Sequence, residues 1–288
     1  MDLFLSQLVN GLVYGVLLFL LASGLSIIFG LMGVVNLAHG SFFMLGAFFG
    51  LSAVKWTGSF WYAMLLAPIP VALIAALMEV LFLRRLYGRQ KLDQVLLTFG
   101  FSFIFTDLVE WGWGKDTFSI AEPPSLEDSF AILGGFFPSF RLAVLAFGLI
   151  TALLLWILID RTRAGAMVRA GVDDGATAMA IGLNVPLLLT TTFASGAALA
   201  ALAGVVAGPI LGVYSGVDVE VLIPAFIVIV VGGMGSLKGA FVGSLLIGIT
   251  DTFGKAYLPE MAMFLTYMTM IFVLLARPSG LFGQAQIR

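Results

Sequence analysis

The sequence holds one histidine, His39, set between Ala38 and Gly40 in a run where no charge falls between Leu3 and Val54. An imidazole there could relay a proton or gate a path; it could also hydrogen-bond backbone groups freed where a helix breaks. Glu79, Asp107, Glu110 and Asp251 lie in otherwise apolar stretches, where a charge is costly and marks function by default. Asp107 and Glu110, three apart, share one helix face. All four fall near the ends of their stretches, so contact with interfacial water competes with lining a solute path. Other chemistry is excluded. There is no Cys, hence no disulfide or thiolate metal site, and one His rules out a multi-histidine centre. No Gly-x-x-x-x-Gly-Lys-Ser/Thr phosphate loop is present, and no nucleophile–base pair stands out. The chain reads as a non-enzyme with no cofactor of its own.

The elements that must position these groups are membrane helices. The 288 residues are 61% hydrophobic and only 10% charged, against about 25% charged in soluble domains, so lipid must be the solvent. A net charge of −2 gives no reason to propose nucleic acid as a partner. The first basic residue is Lys55, unlike the basic start of a secretory signal, so the first stretch is expected to stay as a helix. Apolar stretches near 8–31, 41–54, 62–83, 94–112, 141–159, 186–208, 221–233, 239–254 and 261–276 predict an all-α integral membrane protein. About eight or nine helices are expected, the shorter ones broken or re-entrant. The first two are separated by Gly33-Val34-Val35-Asn36-Leu37-Ala38-His39-Gly40.

Charge sets the sidedness. Arg84, Arg85, Arg89, Lys91, Arg161, Arg163, Arg169, Lys238, Arg277 and Arg288 fall on one side; Lys55, Lys115, Arg141 and Lys255 fall on the other. Basic loops stay cytoplasmic, so the C-terminus is expected inside and, with nine crossings, the N-terminus outside. The outer loop 114–140 is acidic, and the longest inner loop is 160–184. Neither is long enough for a separate domain, so residues 1–288 read as one transmembrane unit.

Helices in lipid associate through small residues. Gly196, Ala200, Gly204 and Gly208 form one such stripe; Gly235, Gly239 and Gly243 form another; Ser244, Gly248 and Thr252 form a third, and Gly11 and Gly15 begin a fourth. Phe29-Gly30-Leu31-Met32-Gly33 echoes Val231-Gly232-Gly233-Met234-Gly235 on the same side, which would make a parallel internal repeat. The glycine-rich Gly232–Ser236 segment has no dinucleotide-binding context and reads as a backbone break.

The run Val35-Asn36-Leu37-Ala38-His39-Gly40-Ser41-Phe42-Phe43-Met44-Leu45-Gly46-Ala47 resembles the N-terminal hallmark of branched-chain amino-acid ABC permeases of the Liv type. The likeness continues through Ala180-Ile181-Gly182-Leu183-Asn184-Val185, through Gly232–Ala240 and through Arg277-Pro278-Ser279-Gly280-Leu281-Phe282-Gly283. It covers essentially the whole chain and favours the H-type subunit. The resemblance implies half of a pore in a bacterial inner membrane. It also implies a second homologous permease, two cytoplasmic ATPases that consume ATP, and an extracytoplasmic binding protein that delivers the solute. Related permeases carry urea, amides, other amino acids or aromatic acids. A proton-coupled transporter or channel is the reading from another class. Asn36, His39, Gly40, Gly232, Gly233 and Gly235 are the expected substrate-path residues, since broken helices expose backbone groups to a zwitterion. Gly40→Leu and Gly235→Leu are accordingly expected to abolish uptake while leaving assembly intact. The 169–182 segment loosely matches a coupling-helix signature at Ala176-Thr177-Ala178 and Gly182, which makes Arg169, Asp173, Asp174, Ala176, Ala178 and Gly182 candidates for ATPase coupling.

Overall fold

The computed structural model describes residues 2–132 and 135–283. Each predicted apolar stretch becomes helical. In chain order the helices are α1 (Asp2–Met32), α2 (His39–Thr57), α3 (Phe60–Leu66), α4 (Pro68–Leu81) and α5 (Lys91–Trp113), then α6 (Ser139–Trp156), α7 (Arg163–Asp173), α8 (Gly175–Ala180) and α9 (Val185–Leu211), and finally α10 (Val217–Gly232), α11 (Leu237–Tyr257) and α12 (Ala262–Ala276). α3 and α4 together make one crossing, with Pro68 at the first position of α4. Between α5 and α6, the loop adds a small antiparallel hairpin of β1 (Ser129–Ile132) and β2 (Gly135–Pro138). The 160–184 loop is not an open connector but carries α7 and α8.

Among the described residues, six segments are long and apolar enough to cross a bilayer unaided: Leu3–Gly30, Phe60–Leu81, Lys91–Trp113, Ser139–Arg161, Val185–Leu211 and Pro259–Ala276. The first is hydrophobic on all sides and 83% buried, which makes α1 the central post of the fold. α2, α10 and α11 fall outside this set. α10 has 16 residues, roughly 24 Å at 1.5 Å per residue, against a hydrocarbon core of about 30 Å. It cannot span alone.

The small-residue stripes are the packing seams. On α9, Gly196 faces Gly24 and Ile28 of α1, and Gly204 faces Phe43 and Ala47 of α2. A Cβ on Gly15 would lie 2.9 Å from the Ser244 carbonyl oxygen of α11, and one on Gly11 would lie 2.9 Å from the Ile249 Cα. These contacts order the ends of the helices. Asn10 of α1 meets Arg141 at the start of α6, near Asp251 and Lys255 at the end of α11. Gly30 meets Gly235 at the start of α11, and Arg84 meets Pro186 and Thr190 at the start of α9. The chain therefore has one face carrying Arg84, Arg163, Lys238 and Arg277, called the basic face here, and an opposite face carrying Arg141, Lys255 and the acidic 114–140 loop. α1 begins on the acidic-loop face. The 277–283 segment ends on the basic face, where Leu281 and Phe282 donate to the Val231 and Gly232 carbonyls.

Candidate functional site: a mid-membrane junction of two short helices

The break after α1 does not stay at the membrane edge. Leu37 N–H donates to Thr98 Oγ1 of α5 (3.1 Å), and Ala38 N–H donates to the side-chain oxygen of Asn36 (3.0 Å). His39 Nε2 lies 3.0 Å from the Leu21 carbonyl of α1. Leu21 stands 11 residues from Asn10 and 11 from Met32, about 16 Å of helix each way, which is mid-depth between the two faces. Residues 33–38 thus run back into the protein as irregular backbone ending in a turn at Leu37–Ala38, and α2 starts at mid-depth and heads for the acidic-loop face alongside α9. Irregular backbone is tolerated at that depth only where protein satisfies it or it lines a cavity; Asn36 and Thr98 supply the satisfaction. Because a carbonyl can only accept, His39 Nε2 carries the proton, which leaves Nδ1 of the neutral ring an acceptor.

α10 mirrors this arrangement. After α9 ends at Leu211, Val213 pairs with Phe118 of the outer loop. The chain then dips inward through Gly216 and starts α10 at Val217, well below that face. Gly40 packs against the Asp218 backbone so closely that a Cβ would overlap it. Ser41 Oγ donates to Asp218 Oδ2 (2.9 Å), and Thr106 Oγ1 of α5, whose shorter bond goes to the Ser102 carbonyl (2.9 Å), lies 3.4 Å from the same oxygen. The first turns of two helices running in opposite directions therefore meet at the membrane centre, with Asp218 between them. Asn36, His39 and Ser41 are fully buried and Asp218 is 3% exposed. Among the described residues, Asn36 Nδ2, His39 Nδ1 and Asp218 Oδ1 are buried without a hydrogen-bond partner.

The six expected path residues divide into two sets. Asn36, His39 and Gly40 belong to this junction. Gly232, Gly233 and Gly235 do not reach it; they form a glycine knot on the basic face. Gly233 (φ 102°) packs on Gly280 and Gly283, and Gly235 (φ 82°) packs on Gly30. The echoed sequences at 29–33 and 231–235 thus meet each other. A side chain at Gly40 or Gly235 would push backbones apart, and at Gly235 it would also strain a left-handed residue. The expectation that Gly40→Leu and Gly235→Leu spare assembly does not fit this packing, and both are expected to fail already at folding.

The acidic candidates resolve in different ways. Glu79 is fully buried on the basic face and forked by Arg84 (3.1 and 2.9 Å), with Tyr87 (2.9 Å) and Thr190 (2.7 Å) also donating. Glu110 pairs with Lys115 (3.0 Å) and accepts from Ser215 (2.8 Å), and Asp251 pairs with Lys255 (2.7 Å). Asp107 is exposed on α5. Asp218, missing from the sequence-derived candidates, is the group at the junction. Two larger cavities lie elsewhere. One of about 410 Å³ near Asn10, Arg141 and Lys255 opens at the acidic-loop face, and an apolar one of about 510 Å³ lies between α1, the α3–α4 junction, α6, α7 and α9. The junction itself is closed.

In the loop segment, Thr162 caps α7 by accepting from Gly165 N–H, and Asp174 caps α8 by accepting from Thr177 N–H (3.0 Å) and Thr177 Oγ1 (2.5 Å). The Thr177 side-chain hydrogen bond, then its backbone N–H, hold the Asp174 carboxyl below its ordinary pKa. The stability the cap contributes is present above the ordinary aspartate pKa and is lost only as pH falls through the lower folded value. Thermal scans between pH 7 and pH 5 should therefore show no loss traceable to this cap, and Asp174→Ala should fray α8 at both. Arg169 donates to the Ile159 carbonyl and folds α7 back on the end of α6. Ala178 is buried, Ala176 exposed, and Gly182 turns the chain at φ 91°. The Asp173 side chain lies outside the described residues.

The sequence model of the family described as the permease component of branched-chain amino acid transport systems matches residues 7–274. The chain is 30% identical to the high-affinity branched-chain amino acid transport system permease protein BraD of Pseudomonas aeruginosa, covering 99% of this chain and 97% of that protein. It is 28% identical to the corresponding protein LivH of Escherichia coli K12, at 99% and 97% coverage. It is 27% identical to a probable branched-chain amino acid transport permease, LivH, of Methanocaldococcus jannaschii, at 95% and 91%. No solved structure matches the chain.

Proposed function

The chain belongs to the permease components of branched-chain amino acid transport systems, and from that premise we propose that it forms half of the route by which a small zwitterion, a branched-chain amino acid, crosses a bacterial inner membrane. One observation carries the reading: two short helices meet head to head at mid-depth, where Asn36, His39 and Asp218 hold unpartnered polar atoms. Broken helices at the membrane centre bind solutes in transporters because freed backbone groups and helix-end dipoles substitute for water. For transport, this buried junction would have to open alternately to each face. A solute or partner moves that balance only as far as it binds one state better.

Among the described residues, nine basic residues against four argue that the basic face is cytoplasmic, with the C-terminus inside and the N-terminus outside. A second homologous permease would complete the pore, an extracytoplasmic binding protein would dock on the acidic-loop face, and two cytoplasmic ATPases would supply the energy, ATP being their ligand rather than this chain's. α7 and α8 suit the coupling role. Both are capped, they sit on the basic face, and Met179 (54% exposed) and Ile181 (74% exposed) project from the end of α8. Ile181→Glu should weaken ATPase retention about tenfold or more, the scale of one interface anchor, without lowering the melting temperature of the isolated permease. Quantitative mass spectrometry of the purified complex reads this directly, and undiminished ATPase recovery would remove α8 from the contact.

The proposal as a whole is tested by mild-detergent purification from the native host followed by reconstitution. A P-loop ATPase and a second permease should accompany the chain, and leucine uptake should require ATP. Uptake by the purified chain alone, driven by a proton gradient, would overturn it.

A further inference from the structure

We propose that the Asp218 carboxylate binds the ammonium group of the transported solute at mid-membrane, an inference that rests on the permease reading and adds to it the residue and charge that hold the substrate. Acidic side chains are almost never fully buried unless paired, and losing one partner of a buried pair is strongly destabilising. Asp218 is 3% exposed, yet no Lys, Arg or His among the described residues lies within ion-pair distance of it. Its Oδ2 accepts from Ser41 and shares the Thr106 hydroxyl with the Ser102 carbonyl, while Oδ1 has no donor. The compensation on the protein side comes from the first turns of α2 and α10, each equivalent to roughly half a positive charge. These hold the carboxylate in place without using its free oxygen. An ammonium brings three donors and no acceptor, the complement of what is left open. The carboxylate end of the same zwitterion would find the backbone N–H groups of the two helix starts, the preferred seat for anions.

The approach from the acidic-loop face matches this assignment. Ser215 and Glu220 lie around the start of α10, Asp107 is exposed one residue beyond Thr106, Gly216 and Val219 are open, and Glu110 there is already paired with Lys115. Carboxylates and hydroxyls along one approach favour an ammonium-first orientation. The competing explanation is mechanical, with Asp218 simply tying α2, α5 and α10 together through two hydroxyls. An amide would serve that purpose equally well, because its carbonyl accepts the same bonds.

The test is L-[¹⁴C]leucine uptake by the complete transporter with its binding protein in ATP-loaded proteoliposomes. Asp218→Asn should assemble and melt like the wild type but take up leucine at least about tenfold more slowly, since hydrogen bonds to a charged group are roughly twice as strong as neutral ones. The double variant Ser41→Ala/Thr106→Val keeps the carboxylate but strips its hydroxyl donors, so it should lower the melting temperature, the readout that a purely structural tie between α2, α5 and α10 would move and that D218N should leave unchanged. Near-wild-type uptake by D218N would overturn the proposal. So would a D218N chain that melts as low as the double variant, or that fails to assemble, since either makes the role structural. Absence of ATP-driven leucine uptake in the wild type would instead overturn the permease reading, and this inference with it.

Discussion

Gly46→Leu is expected to leave almost no folded protein in the membrane. Gly46 lies on the face of α2 that crosses α9, and a Cβ there would overlap the backbone of Ala201, itself fully buried. The seam is reciprocal, because Gly204 of α9 is pressed against the Phe43 carbonyl and Ala47 N–H of α2. Adding even a methylene to a packed interior costs about 1–3 kcal/mol when side chains can shift; here the obstacle is main chain, so the helices themselves must separate. Lipid offers no compensation, since tails are as apolar as leucine and contact is what holds the pair together. The displacement would also reach the junction, because the first turn of α2 rests on α10 at Gly40. Gly100→Ala on α5 is the control. A Cβ there meets open space, and helix propensity should favour it by roughly 0.5–1 kcal/mol. Size-exclusion profiles and melting curves in detergent separate the two. A G46L protein that melts within about 2 °C of wild type would mean that α2 and α9 are not in backbone contact.

The α9 side of that seam was legible in the sequence as a four-residue spacing of small residues, and so were the nine helical stretches and the break at 33–40. Depth was not. Nothing in Asn36-Leu37-Ala38-His39 says that the chain turns back into the membrane; the reason is a pair of long-range hydrogen bonds, to Thr98 and to Leu21, whose partners are remote in sequence. Asp218 was missed for a related reason. It follows Tyr214-Ser215-Gly216-Val217, which reads as a polar outer loop preceding a span at 221–233. The available signal was length: an apolar stretch of 13 residues cannot cross about 30 Å, so its polar start had to lie inside. For Glu79 the position near a helix end was readable, but not the fork. Arg84 follows five residues later across a helix end, outside the regular i, i+4 spacing of helical ion pairs. The docking of 277–283 on the end of α10 left no periodic trace, because glycine contacts depend on backbone shape rather than on pattern.

The Glu79 cluster leads to the second large effect, an asymmetry between two substitutions in one ion pair. Glu79 is fully buried, whereas the Arg84 side chain is 36% exposed. Arg84→Ala strips the two guanidinium bonds and leaves a buried carboxylate held only by the Tyr87 and Thr190 hydroxyls. Breaking a buried pair this way costs about 3–5 kcal/mol, a fall in melting temperature on the order of 10 °C for a chain of this size. Burial pushes the Tyr87 phenol above its ordinary pKa, so it stays a donor but cannot supply charge. Glu79→Gln leaves the more exposed partner instead. The freed guanidinium can turn to water, the amide oxygen keeps one acceptor, and the cost should be nearer 1–2 kcal/mol. Arg84→Lys should fall between them, because an ammonium cannot reproduce the planar two-bond fork. Melting temperatures of the three purified variants give the order directly, and equal losses for R84A and E79Q would contradict a buried, fork-bound carboxylate. The order matters for transport because this cluster joins the end of α4 to the start of α9, the helix that packs on α1 and α2 beside the junction. If α9 must tilt for the junction to open toward the basic face, Arg84→Ala should alter uptake more than Arg84→Lys, even in samples kept well below their melting temperatures.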